Sequence, residues 1–239
     1  DVDEGYLYAA DTHGGLRVFD VADPTSPTSR GQQETPGEAN DLELRDGFVY
    51  VADGNVEPDL ETGVRIFRLL RANSLELAGV LVTQGDAYGL ALGDDMVYVA
   101  DGAEGLVAGD IAALEAPETV GAFRWDDLQV DHAARGVAYL TFEGTPYVLV
   151  ALEAGGLRVV DVSNPESMQE VASLATAGPA QRVRLFGDRA FIAAADSGLV
   201  IADVSDPTQP AEIGRIVLPG EAHDVTLQGD LAYVACGSQ

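Results

Sequence analysis

The residues best placed to do chemistry in this sequence recur at matching offsets. Asn40 and Asp41, Tyr88, Tyr139, Gln181 and Arg182, and His223 and Asp224 directly follow alanines at 39, 87, 138, 180 and 222. Each alanine lies eleven residues before an aromatic or aliphatic anchor: Tyr50, Tyr98, Leu149, Phe191 or Tyr233. Polar residues that vary at one position of a repeat suggest a binding surface, because positions with structural duty tend to keep one residue type. The alternative is that they satisfy strand ends and bind water. The segment RWDDLQVDHA, 124–133, adds the single tryptophan, Trp125, and one of three histidines, His132. An exposed Trp on a loop is a recognition anchor; a Trp folded back covers the edge of a sheet.

Acidic side chains gather after the anchors, at Asp11, Asp53, Glu57, Asp59, Glu61, Asp101, Glu104 and Asp196. Oxygen-rich loops can hold Ca2+. Their spacing does not follow the calcium-loop pattern D-x-[DN]-x-[DN]-G with a Glu at twelve, and capping of a tight turn explains the recurring Asp better. No metal site is assigned, and no cofactor is identified. His13 and His223 meet only if the first and last repeats adjoin, too little for a metal site. The sequence contains no G-x-S-x-G, H-E-x-x-H, P-loop or C-x-x-C motif, so no catalytic residue is nominated.

These groups sit on a strongly acidic chain. Of 239 residues, 40 are Asp or Glu and 13 are basic, all of them Arg, for a net charge of −27. Such a surface repels phosphate backbones and anionic membranes. No apolar run of 18 residues exists, so no membrane insertion is expected. With one cysteine, Cys236, an internal disulfide is impossible; it reads as a small apolar strand residue.

The elements that position the polar residues form a repeat. An aromatic-Val-Ala element recurs at 7–11, 49–53, 97–101, 190–194 and 232–236, with a weaker copy at 148–152. Successive anchors, starting from Tyr8, are 42, 48, 51, 42 and 42 residues apart. A Gly-Leu element follows, as GLRVFDV at 15–21, GLRVVDV at 156–162 and GLVIADV at 198–204. Alternating apolar residues follow each alanine: Leu42 and Leu44, Leu90 and Leu92, Val183 and Leu185, Val225 and Leu227. Each element is short, rich in β-branched or aromatic residues and bounded by Gly, Asp or Pro, so it reads as a strand. A fourth strand fits after the proline turns DPTSP, NPESM and DPTQP, as in AEIGRIV at 211–217.

Four strands per 42 residues is the period of a β-propeller blade. We name the strands A (after the alanine), B (the anchor), C (Gly-Leu) and D (after the proline turn). The expected fold is all-β: a single propeller domain over 1–239 with four-stranded antiparallel blades and A innermost. Five full repeats are visible. Val2 aligns with Leu227, so the chain opens inside a blade, and it stops just after a B strand; it reads as a possible fragment of a longer polypeptide. Closure of a five-bladed ring by the last A strand is favoured, and six or seven blades stay open. Extra residues fall in GNVEPDLETG, 54–63, and between Gly121 and Ala138.

GLRVVDVSNP at 156–165, GLVIADVSDPTQP at 198–210 and PGEAHDVTLQGDLAYVA at 219–235 resemble the LVIVD repeat family, over essentially the whole chain. The second and third copies depart from the pattern, because RLLRANS and IAALEAP lack the Asp-Pro turn. The resemblance implies a propeller of secreted or surface-exposed proteins and no defined reaction. The D–A and B–C connections share one face, which carries both insertions and the polar residues after the alanines. That face and the channel mouth are the expected site for a protein or glycan partner, in a non-catalytic binding or scaffold module. The alternative is a propeller enzyme, a carbohydrate hydrolase or lyase, at the mouth.

Overall fold

The structure is a computed structural model, and it describes residues 1–54, 61–71, 74–125 and 133–237. Blade 1 comprises β1 (Val2–Asp3), β2 (Tyr6–Ala10), β3 (Leu16–Asp20) and β4 (Thr28–Gln33). Blade 2 comprises β5 (Glu38–Arg45), β6 (Phe48–Gly54), β7 (Gly63–Arg71) and β8 (Ser74–Val82). Blade 3 comprises β9 (Gly89–Leu92), β10 (Met96–Ala100), β11 (Leu106–Asp110) and β12 (Glu118–Phe123). Blade 4 comprises β13 (Ala134–Phe142), β14 (Thr145–Leu152), β15 (Gly156–Asp161) and β16 (Gln169–Leu174). Blade 5 comprises β17 (Arg182–Phe186), β18 (Arg189–Ala193), β19 (Leu199–Asp203) and β20 (Ala211–Ile216). A sixth sheet holds two strands, β21 (Ala222–Gln228) and β22 (Leu231–Cys236).

Within each blade the strands pair antiparallel in chain order. The last A strand does not complete blade 1 as the five-bladed closure expected: Val2–Asp3 pairs with β2, and β21 pairs with β22. The alignment of Val2 with Leu227 holds, since Val2 faces Leu7 as Leu227 faces Ala232.

The sequence pattern maps onto packing. Leu90, Val183 and Val225 are buried, and with Leu42 they sit on the innermost strands, as expected. Both faces of β6, β10 and β14 are buried because their sheets are sandwiched between two others. Tyr50, Ala52, Val64 and Ile66 of blade 2, for example, pack with Leu90, Val97 and Val107 of blade 3. The Asp that ends each C strand has a local task. Asp20, Asp161 and Asp203 each accept the backbone N–H two residues on, which fixes the turn into D. Asp110 does the same for Ala112 although its repeat lacks the Asp-Pro turn. Blade 2 lacks the capping Asp, and there C and D run on as a longer hairpin that pairs Arg71 with Ser74.

The recurring alanine marks the closest approach of two blades. Ala39, Ala134, Ala180 and Ala222 bridge to the B–C turn of the preceding blade, at Thr12, Gly102, Glu153 and Ala195 respectively. Ala39 and Thr12 exchange both backbone hydrogen bonds, at 3.0 and 3.1 Å. All four alanines are buried, and a larger side chain would push the blades apart.

In blade 4 this alanine is Ala134, not Ala138. The A–B hairpin there is two residues longer on each strand. Val137 faces Val150 as Val183 faces Ile192, but the turn comes at Phe142–Thr145 rather than at the position of Phe186–Arg189. The fixed eleven-residue offset therefore selected the wrong alanine, and the residue that follows the register alanine is Arg135, not Tyr139.

Candidate functional site

The A strands open onto the mouth of the central channel. The first residue after each register alanine is Asn40, Tyr88, Arg135, Gln181 or His223. The second is Asp41, Gly89, Gly136, Arg182 or Asp224. The structure brings the sequence-predicted residues of blades 2, 3 and 5 together through one side chain. Arg182 reaches across the mouth, and its Nη1 donates to the carbonyls of Tyr88 at 2.7 Å and Arg135 at 2.9 Å. Its Nη2 donates to the carbonyl of Asn40 at 2.9 Å, and Asp41 lies 3.6 Å from Nη1. Gly89 and Gly136 make this possible, because a Cβ on Gly89 would stand 2.7 Å from Arg182 Nη1 and one on Gly136 would stand 2.9 Å from the Arg182 Cα. Arg182 thus binds backbone rather than offering its donors to a ligand.

Around it, Asn40 Nδ2 donates to the carbonyl of Ala87 at 3.0 Å. Arg135, which the sequence reading missed, stacks over the Tyr88 ring at 4.0 Å and holds Glu153 at 2.6 Å. Gln181 is half-buried and His223 is exposed. Asp224 accepts the Val225 N–H at 2.8 Å. His13 pairs with Glu38 at 3.2 Å. His132 lies outside the described residues.

Below the mouth the channel widens to about 600 Å³, lined by Asp41, Glu43, Tyr139, Arg184, Asp224 and Thr226 among others. Its chemistry begins with backbone edges. The inner edge of an A strand leaves N–H groups unpaired, and carboxylates of the preceding blade accept them. Asp41 takes the Leu90 N–H at 3.4 Å and Glu43 the Leu92 N–H at 3.1 Å. Burial pushes the Glu43 carboxyl above the usual range, although the Leu92 N–H opposes this. Arg184 stands 3.3 Å from Asp41, whose charge holds the guanidinium above its ordinary pKa. Tyr139 stacks on Tyr98 with ring centroids 5.8 Å apart, and burial pushes Tyr98 up to about 12. The channel is thus polarised, with Asp41 and Glu43 on blade 2, Arg182 and Arg184 on blade 5, and mainly apolar residues beside Tyr139 on blades 3 and 4.

The acidic residues after the anchors divide by depth. Asp53 and Asp101 are fully buried, and each binds the incoming D–A loop. Asp101 accepts from the Thr83 hydroxyl at 2.7 Å and the Gly85 N–H at 2.8 Å, and burial raises its pKa. Asp53 accepts from Gly37 N–H and forms a buried ion pair with Arg65 at 2.5 Å. Glu104 pairs with Arg124, and Asp11 with Arg17 at 2.6 Å. Glu57 and Asp59 lie outside the described residues. Among the described residues, no group of three or more His, Cys, Asp and Glu could hold a metal ion.

Trp125 is only 6% exposed. Its ring meets Phe123 edge to face at 5.1 Å, and its indole N–H donates to Glu170, which also holds Arg158 at 2.8 Å. It seals the seam between blades 3 and 4 and does not stand out as an exposed anchor.

These sheets, stacked around a polar channel, define a β-propeller. The LVIVD repeat model matches residues 1–35, 36–57, 84–124, 146–176, 177–217 and 219–238, and the chain belongs to the LVIVD repeat family. No curated protein matches it. Similar solved structures include the periplasmic gluconolactonase PpgL of Pseudomonas aeruginosa, at TM-score 0.76 and 17% identity, covering 97% of this chain and 74% of that one. The computationally designed Ika8 protein matches at TM-score 0.66 and 13% identity, covering 99% of this chain and 66% of that one. Sqt1 of Saccharomyces cerevisiae matches at TM-score 0.63 and 12% identity, covering 97% and 65%. The chain thus spans slightly less than two thirds of the length of Ika8 and Sqt1. At these identities the likeness concerns the fold.

Proposed function

We propose that this propeller is a non-catalytic binding or scaffold module, extracellular or cell-surface, that meets a protein or glycan partner with its loop face and channel mouth. The observation that carries this reading is the ring of Asn40, Tyr88, Arg135, Gln181 and His223. One structural position bears five different polar side chains, while the alanine before it is kept by packing. Gln181 and His223 are the members to test, because Arg182 and Asn40 are occupied in holding the mouth together. A partner found by glycan array or cross-linking should bind a Gln181→Ala/His223→Ala variant more weakly, by about 2 kcal/mol if either is a hot spot. Unchanged affinity with unchanged melting would refute the assignment.

A carbohydrate-acting enzyme is the second reading, favoured by one observation: Glu43 and Arg184 face a cavity of sugar size, and the Glu43 carboxyl titrates high. The likeness to a gluconolactonase suggests the assay. Hydrolysis of gluconolactone that Glu43→Gln abolishes would favour the enzyme over the binding module.

A further inference from the structure

We infer that the seam between blades 2 and 3, on the face opposite the loop face, is a docking groove for a basic segment of a partner protein, one lysine of which inserts. Blades 2 and 3 alone build this groove, and the inference does not depend on the function proposed above.

The A–B and C–D turns of these blades frame an open groove of about 410 Å³. Its floor is apolar, formed by Phe48 and Leu114 beside the buried Ile111. The neighbouring seam is closed differently. Between blades 3 and 4, Tyr139 stacks on Tyr98, the anchor of blade 3. Leu92 holds the place of Tyr139 one seam earlier, since Leu92 pairs with Val97 as Tyr139 pairs with Val148. Tyr50, the anchor of blade 2, therefore has no ring stacked on it from blade 3, and it lines the groove. Tyr50 is only 2% exposed, yet among the described residues its hydroxyl has no hydrogen-bond partner. A buried hydroxyl ordinarily finds one, so this one is left for a ligand.

The charge of the rim selects the ligand. Asp46, Asp94 and Asp95 are exposed there, and among the described residues none of them joins an ion pair. The cation that lines the groove, Arg45, is already committed: it donates to the Gly93 carbonyl and lies over the Tyr50 ring at 5.8 Å. A lysine fits this arrangement. Its methylene stem lies along the apolar floor, and its ammonium has three donors for the Tyr50 hydroxyl and the rim carboxylates. This chain contains no Lys and carries a net charge of −27, so neither its own side chains nor a second copy supplies the ligand.

The test titrates the peptide Gly-Arg-Gly-Lys-Gly-Arg-Gly into the whole chain, followed by NMR in about 0.15 M NaCl to screen long-range attraction. The expected result is saturable shifts of the amides around 45–50 and 93–95, and at least about tenfold weaker binding when the lysine is Nε-acetylated. Tyr50→Phe keeps the ring, so it should leave the melting temperature unchanged and weaken binding by about tenfold. Asp94→Asn/Asp95→Asn should weaken it as well. Glu34→Gln/Glu118→Gln removes the same charge from exposed positions elsewhere and should not. Equal binding of the acetylated peptide, equal losses from the two charge-removing pairs, or wild-type binding by Tyr50→Phe overturns the proposal. Butylammonium that binds as tightly as the peptide assigns the groove to small amines and overturns the partner.

Discussion

The guanidinium of Arg182 occupies the space above Gly89 that any other residue there would claim, 2.7 Å from the position of a Cβ. Blade 3 gives up a side chain so that blade 5 can reach the carbonyls of blades 2, 3 and 4. The starts of the inner strands are held together by one residue whose donors are met by backbone oxygens, and the blades it joins are distant in sequence.

Arg182→Ala should therefore destabilise the fold. Three carbonyls lose a charged donor and Asp41 keeps only Arg184, so a loss of about 3 kcal/mol is expected from urea denaturation. Gly89→Ala should cost about 1–3 kcal/mol through the clash with Arg182 and the Arg135 carbonyl. Near-neutral results for both would remove the role assigned to this side chain.

Asp53 and Arg65 form a buried pair, and breaking it from one side leaves a charge without its partner. Arg65→Ala should cost about 3–5 kcal/mol. The double variant Asp53→Asn/Arg65→Leu should recover a large part of that loss, as a double-mutant cycle of denaturation midpoints would show.

Asp101 should impose a pH dependence. Its folded pKa is raised by burial, so the native state binds a proton more readily than the unfolded state. Stability from this group is present at low pH and falls as pH rises from the unfolded pKa, about 4, through the raised folded value. Asp101→Asn can still accept from Gly85 and donate to Thr83, so it should flatten that fall at little cost. Asp101→Ala should lose about 1–3 kcal/mol. Melting curves from pH 4 to 7 on the three proteins would check both; a wild-type curve that rises through this range in step with the Asn variant would count against it.

Trp125 offers an optical test. A single buried indole should emit toward the blue and resist iodide quenching in the native chain. Trp125→Ala should cost about 3–5 kcal/mol by emptying the seam between blades 3 and 4. An emission spectrum like that of free tryptophan would place the ring in solvent instead.

Net charge should govern the response to salt. With −27 charges and no Lys, self-repulsion is screened as ionic strength rises, and the melting temperature should climb over a NaCl series up to moderate concentration. A flat series would mean that the local ion pairs already balance the field.

The sequence alone determined the blade. Strand period, anchor spacing, turn Asp and Pro residues and inner-strand alternation are local rules written within single repeats of 42 to 51 residues, with the Asp-Pro turn missing from the second and third copies, and the structure follows them. It also placed Asn40, Tyr88, Gln181 and Arg182 near one another, because equivalent repeat positions must meet around an axis. Three things were decided only in three dimensions. The register alanine of blade 4 moved from Ala138 to Ala134, because hairpin length trades against loop length without changing the spacing of anchors. Trp125 turned inward, because its ring and indole N–H find Phe123 and Glu170, and the latter lies 45 residues away. Arg182 became a clasp rather than a contact for a partner, since its acceptors lie on three other blades, up to 142 residues distant, and backbone carbonyls leave no mark in a side-chain pattern.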